Sequence, residues 1–201
     1  MTEPVALPRT DVLEDGFDPV ADLLVGGEQR PAGLEPVNLR AIGPMQRALL
    51  VIDGTVTKFL EAVMMEPVQV HIVEQSELEL DAPHRELKAP AGSRVIVRTV
   101  EIKGARTERH YSHASSLLVL DRLPAEVREG LADHPQGVGR ILADAGLETR
   151  REVLWYGRER FKEDSGVATG SRICRTYRII SGGLPLMLIN ESFPGDLELN
   201  D

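Results

Sequence analysis

Aromatic side chains are scarce in this chain: one Trp, three Tyr and four Phe among 201 residues, 4% in all. Any sizeable core must therefore be built from Val, Leu, Ile and Ala, within a 42% hydrophobic fraction. Cysteine is almost absent. The single Cys174 excludes an intramolecular disulfide and fits a reducing, cytoplasmic compartment. Long apolar runs are missing too. Ala48–Ile52 and Leu184–Ile189 are far too short to span a bilayer, so no membrane partner is expected. The opening MTEPVALPRTD lacks the basic and apolar regions of a secretory signal. Positive charge is in deficit, with 23 Lys and Arg against 32 Asp and Glu and a formal net charge of -9. The longest basic run is Arg150-Arg151. A general nucleic-acid binder needs a basic stripe, and none is present. An anionic small molecule remains compatible if local arginines hold it.

Two further absences narrow the chemistry. Gly137-Val138-Gly139-Arg140 lacks the third glycine and the lysine of phosphate loops. His110 and His113 are three apart on a predicted strand, so they point to opposite faces and cannot chelate one metal. No metal site is expected. Cys174 reads as a core residue, because its neighbours Arg172 and Arg175 do not both share its face.

What is present is alternation. Residues 1 to about 40, with Pro4, Pro8, Pro19, Pro31 and Pro36, read as a flexible or wrapping leader with one or two helical turns over Asp18–Val25. Residues 41–201 read as a single domain. Helices are predicted over Met45–Ile52, Val56–Met65, from Leu123-Pro124 to about Ala132, and over Gly137–Ala145. Strands are predicted over Val68–Leu80, Arg94–Lys103, Arg109–Leu120, Glu148–Gly157, Arg172–Ile180 and Leu184–Phe193. Ser181-Gly182-Gly183 supplies a hairpin turn. The expected fold class is α+β, a roughly six-stranded, mainly antiparallel sheet with helices packed over one face.

Two charges interrupt the apolar rows of this sheet. Arg98 shares a strand face with Ile96, Val100 and Ile102, and Glu191 shares one with Met187, Ile189 and Phe193. A buried charge is costly unless paired or met by a ligand. Arg178, on a face with Thr176 and Ile180, is the third candidate. The residues alone leave two readings open. One is a structural ion pair. The other is an enclosed site where arginine grips a substrate carboxylate and the glutamate handles a proton.

Five segments resemble the chorismate pyruvate-lyase-like family in order and spacing: ALLVIDGTVTKFLEA (48–62), SRVIVRTVEIKG (93–104), QGVGRILA (136–143), CRTYRIISGG (174–183) and PLMLINESFP (185–194). The likeness is greatest to the branch with the longer SGG hairpin. It implies a closed pocket between sheet and helical flaps, and conversion of chorismate to 4-hydroxybenzoate and pyruvate without metal or redox cofactor. It implies Arg98 and Glu191 as catalytic residues, Arg98 on a carboxylate and Glu191 at the ring hydroxyl. Backbone groups near Val138 would line the pocket. The chain departs from the ubiquinone-pathway members at one point. Their second carboxylate-binding arginine falls here near His113, Ala114 and Ser115, leaving Arg178, Arg140 or His113 to substitute. Two other functions fit the same fold: an enzyme of specialised biosynthesis acting on another ring substrate, and a non-catalytic small-molecule sensor. Sensors of this kind normally follow a winged helix, which forty acidic, proline-rich residues do not supply.

Overall fold

Gly182 and Gly183 both adopt positive φ, 55° and 80°, the backbone that a two-residue hairpin turn demands. They join β6 (Thr169–Ser181) to β7 (Leu184–Pro194). The computed structural model describes residues 17–25, 31–133, 137–162 and 169–197. Leader residues 1–16 and 26–30, with His134 and Gln136, lie outside the described residues.

The remaining elements follow the predicted order. They are β1 (Leu34–Glu35), α1 (Pro44–Val51), α2 (Val56–Met64), β2 (Val68–Glu79), β3 (Arg94–Gly104), β4 (His110–Val119), α3 (Ala125–Asp133), α4 (Val138–Asp144) and β5 (Arg150–Lys162). The sheet order is β1-β5-β6-β7-β4-β3-β2, with every neighbouring pair antiparallel. Six strands match those expected. The seventh, β1, comes from the segment read as leader and pairs Leu34 with Glu159 at the β5 edge. Two residues give no period to read, so its absence from the sequence reading has a plain cause. Other described residues of that segment also pack down. Val20 is fully buried in the main core, and Tyr156 donates to Asp18 at 2.6 Å.

All four helices cover one face. Met45, Leu49 and Leu60 of α1 and α2 pack against Val70, Ile102 and Phe193 of the sheet. Val127, Leu131, Ile141 and Leu142 of α3 and α4 pack against Ile96, Leu118, Ile179 and Met187. The opposite face carries a smaller core, where Leu87 and Ala89 of the 81–92 loop cover Val95 and Val119. One further anchor fixes the end of α2. The Glu66 carboxylate accepts from the Tyr111 hydroxyl, from Thr107 Oγ1 at 2.7 Å, and from the Arg106 and Thr107 backbone N–H groups at 3.1 and 3.2 Å. These donors hold its pKa down at about 2.

Candidate active site

Register brings the two interrupting charges to one face. Arg98 pairs across β4 with Ser116, which pairs with Ile189 of β7; Glu191 pairs with Ala114, which pairs with Val100. Both side chains line a cavity between the sheet and the helices. Its floor includes Val100, Ile102 and Ile189, and its roof is made by Gly54–Thr57, at the start of α2, and Gly137–Gly139, at the start of α4. Glycine permits that roof to close. A Cβ on Gly137 would stand 3.3 Å from Thr57 Cγ2, and one on Gly139 would stand 3.3 Å from Thr55.

The two charges are held differently. Arg98 is 1% exposed, and its Nη1 donates to the neutral acceptors Gln75 Oε1 at 3.0 Å and Leu131 O at 3.4 Å. Burial lowers its pKa. An arginine nevertheless stays charged, so an anion brought beside it recovers part of the desolvation cost. Glu191 belongs to a buried cluster. Arg175 Nε donates to Glu191 Oε2 at 2.9 Å, and Arg175 Nη2 lies 2.9 Å from the same oxygen. The Tyr177 hydroxyl donates to Oε1 at 2.9 Å. Burial works against the Arg175 charge, but Glu191 and Tyr177 beside it together more than offset this, and the net shift is upward. Burial, then the Glu191 charge, raises the Tyr177 phenol, which stays a donor. Arg175 Cζ also lies 4.7 Å from the Tyr177 ring centroid. Glu191 is thus an oriented acceptor bordering the cavity.

Arg178, expected alongside these residues, is on the other face. Its Nε donates to Glu152 at 2.6 Å and its Nη1 to Glu86 O at 3.1 Å, under the 81–92 loop. The cause is a β-bulge. Uninterrupted pairing from the Gly182-Gly183 turn would set Arg178 opposite Met187, on the Glu191 side. The register instead shifts between Ile179 and Ile180, so Ile180 pairs with Pro185 while Ile179 pairs with Met187. One residue of slip exchanges the faces and puts Arg175 opposite Glu191. Arg140 and His113 do not fill the place of the second arginine. Arg140 is exposed, pairs with Asp144 at 2.8 Å and lines a separate open groove. His113 lies next to Ala114 and Ser112, which face the helices, so it faces away. Val138 does line the cavity. Sequence reasoning missed Arg175, Tyr177 and Arg151, which also line it or hold its residues. The signal was the alternation R-x-Y-x-I from Arg175 to Ile179, which repeats the charge-in-apolar-row pattern of Arg98. Cys174 is buried away from the cavity, and burial pushes its thiol up to about 12. Among the described residues no group of His, Cys, Asp or Glu could hold a metal, and no helix is long and apolar enough to cross a membrane.

A family model described as Chorismate pyruvate-lyase Rv2949c-like matches residues 50–200, three quarters of the sequence. The chain belongs to this family. Within it, the chorismate pyruvate-lyase of Mycobacterium tuberculosis is 28% identical over 172 residues, covering 80% of this chain and 84% of that protein. The chorismate pyruvate-lyase of Mycobacterium leprae is 29% identical over 163 residues, covering 73% and 72%. Among solved structures, PhnF from Mycobacterium smegmatis superposes with a TM-score of 0.53 at 14% identity, over 73% of this chain and 66% of that one. That likeness concerns the fold alone. The matched span of the chorismate pyruvate-lyase family runs from the end of α1 through β7 and so contains Arg98, Val138, Arg151, Arg175, Tyr177 and Glu191.

Proposed function

We propose that the chain is a lyase that converts chorismate to 4-hydroxybenzoate and pyruvate. The observation that carries this reading is that Arg98 and Glu191 border one cavity whose remaining floor is mostly apolar. Family membership supports the substrate class. Chorismate is a dianion with a ring carboxylate, a 4-hydroxyl and an enolpyruvyl ether at C3. In the reaction the C3–O bond breaks and the C4 hydrogen leaves as a proton. The ring becomes aromatic, and the departing enolpyruvate takes up one proton to become pyruvate. Atoms and electrons balance without oxidant, reductant or water.

The enzyme's task is then positioning and charge stabilisation. Arg98 presents a planar fork to the ring carboxylate. Glu191 accepts a hydrogen bond from the 4-hydroxyl, with Arg175 and Tyr177 fixing its orientation. Val138, at the roof, and the apolar floor keep water from the reacting carbons. The test is incubation of purified protein with chorismate and EDTA, following pyruvate enzymatically and 4-hydroxybenzoate by chromatography. Equimolar release of both is expected. Tight binding of chorismate without release would replace the lyase reading with the sensor reading. Turnover of a different ring substrate alone would reject the substrate assignment.

A further inference from the structure

Arg151 of β5 lines the same cavity as Arg98 but approaches it from the other side. The register runs Arg151, Ile179, Met187, Leu118, Ile96 across five strands, so Arg151 and Arg98 share the helix-covered face. Four strand spacings separate β5 from β3, about 19 Å between backbones. Glu191 on β7 lies midway. The Arg151 side chain is 12% exposed. Its Nη1 donates to Asp53 O at 2.7 Å and lies 3.2 Å from Asp53 Oδ1. Its Cζ stands 5.9 Å from the ring centroid of Tyr177, the residue that donates to Glu191. Its buried Nε makes no hydrogen bond among the described residues. The Asp53 carboxylate is 60% exposed and solvated, so it neutralises Arg151 only weakly.

We infer that Arg151 binds the enolpyruvyl carboxylate and makes the cavity a two-ended dicarboxylate site. Chorismate carries its two carboxylates on different arms, one on C1 and one on the C3 ether, and Arg98 and Arg151 reach the one cavity from different strands. The C3 substituent is adjacent to C4, from whose hydroxyl Glu191 would accept, and Arg151 stands against Tyr177, the residue that donates to Glu191. Arg151 supplies the second cation that His113, Ala114 and Ser115 do not. This inference rests on the lyase reading.

The product separates the two ends, because 4-hydroxybenzoate keeps the ring carboxylate and lacks the other. Arg151→Gln is expected to raise KM for chorismate about 10- to 100-fold while changing the inhibition constant of 4-hydroxybenzoate less than about 3-fold. Arg98→Gln is expected to weaken both ligands. Arg151→Lys keeps a cation near Asp53, so it tests the same split if the glutamine variant melts early. It should raise KM for chorismate by a smaller factor and leave product inhibition unchanged. If both Arg151 variants that fold weaken the two ligands equally, or weaken neither, Arg151 is not the second anchor and the lyase reading stands. If wild-type protein neither binds nor consumes chorismate, the lyase reading itself falls and takes this one with it.

Discussion

Strand β6 carries two buried arginine–carboxylate pairs on opposite faces, and their contrast explains more than either alone. Arg175–Glu191 is 1% and 8% exposed at 2.9 Å; Arg178–Glu152 is 14% and 10% exposed at 2.6 Å. The Arg175 pair is the deeper of the two and the Arg178 pair the shorter. They differ in what lies above them. The 81–92 loop closes over Arg178, whose Nη1 donates to Glu86 O, and Arg150 adds a second cation to Glu152. Neither residue of that pair lines the cavity. Glu191 instead borders the cavity while Arg175 and Tyr177 hold it from behind. A charge in an apolar row therefore marks a place where the fold has invested in a fixed ion. The neighbouring space decides whether that ion serves packing or a ligand.

The largest expected effect comes from removing the charge that does both. Glu191→Gln keeps an acceptor for Tyr177 but leaves Arg175 under-compensated in a buried site. Stability should fall by about 3–5 kcal/mol, measured by urea unfolding, and pyruvate release per folded molecule should fall as well. The double variant Glu191→Gln, Arg175→Met removes the stranded charge. It should recover a good part of the stability and none of the turnover. Recovery of both would make Glu191 a purely structural ion and would erase the contrast between the two pairs.

On the closed side only stability should respond. Arg178→Met removes the buried cation from Glu152 but leaves Arg150 in place. A loss of about 1–3 kcal/mol is expected, with KM and kcat unchanged once the folded fraction is accounted for. A rise in KM for chorismate without a stability change would mean that the far face communicates with the cavity.

Much of this was legible in the sequence. Period-2 alternation set Arg98 and Glu191 on their rows, and glycine pairs and caps bounded the strands and helices. The part that was not legible has a local cause. Alternation says which residues of one strand share a face, but only pairing says which face meets which across strands. In β6 and β7 that pairing depends on one bulge at Ile179/Ile180, opposite Pro185–Met187, and its one local signal is Pro185, which cannot donate to the ladder and which alternation alone passes over. The same limit hid Arg151. It sits in the charged run Glu148–Glu152, where Arg150 and Glu152 turn to one face and Arg151 alone turns to the cavity.

Glu66 offers the smallest effect and a control for the comparison, a carboxylate held by hydroxyl and backbone donors and away from the cavity. Its folded pKa, about 2, lies below the ordinary 4.5. A depressed carboxylate pKa means that the folded state binds fewer protons than the unfolded state between those values. The stabilisation from Glu66 is then fully present above about pH 4.5 and is lost as pH falls through about 2. Glu66→Gln should therefore flatten the acid limb of a stability-against-pH curve between these limits. It should leave pyruvate release at neutral pH unchanged per folded molecule. An unaltered acid limb would mean that Tyr111 and Thr107 hold the amide as well as they hold the carboxylate. The α2–β2 junction would then owe its anchoring to hydrogen-bond geometry and not to charge, which sets it apart from both arginine pairs.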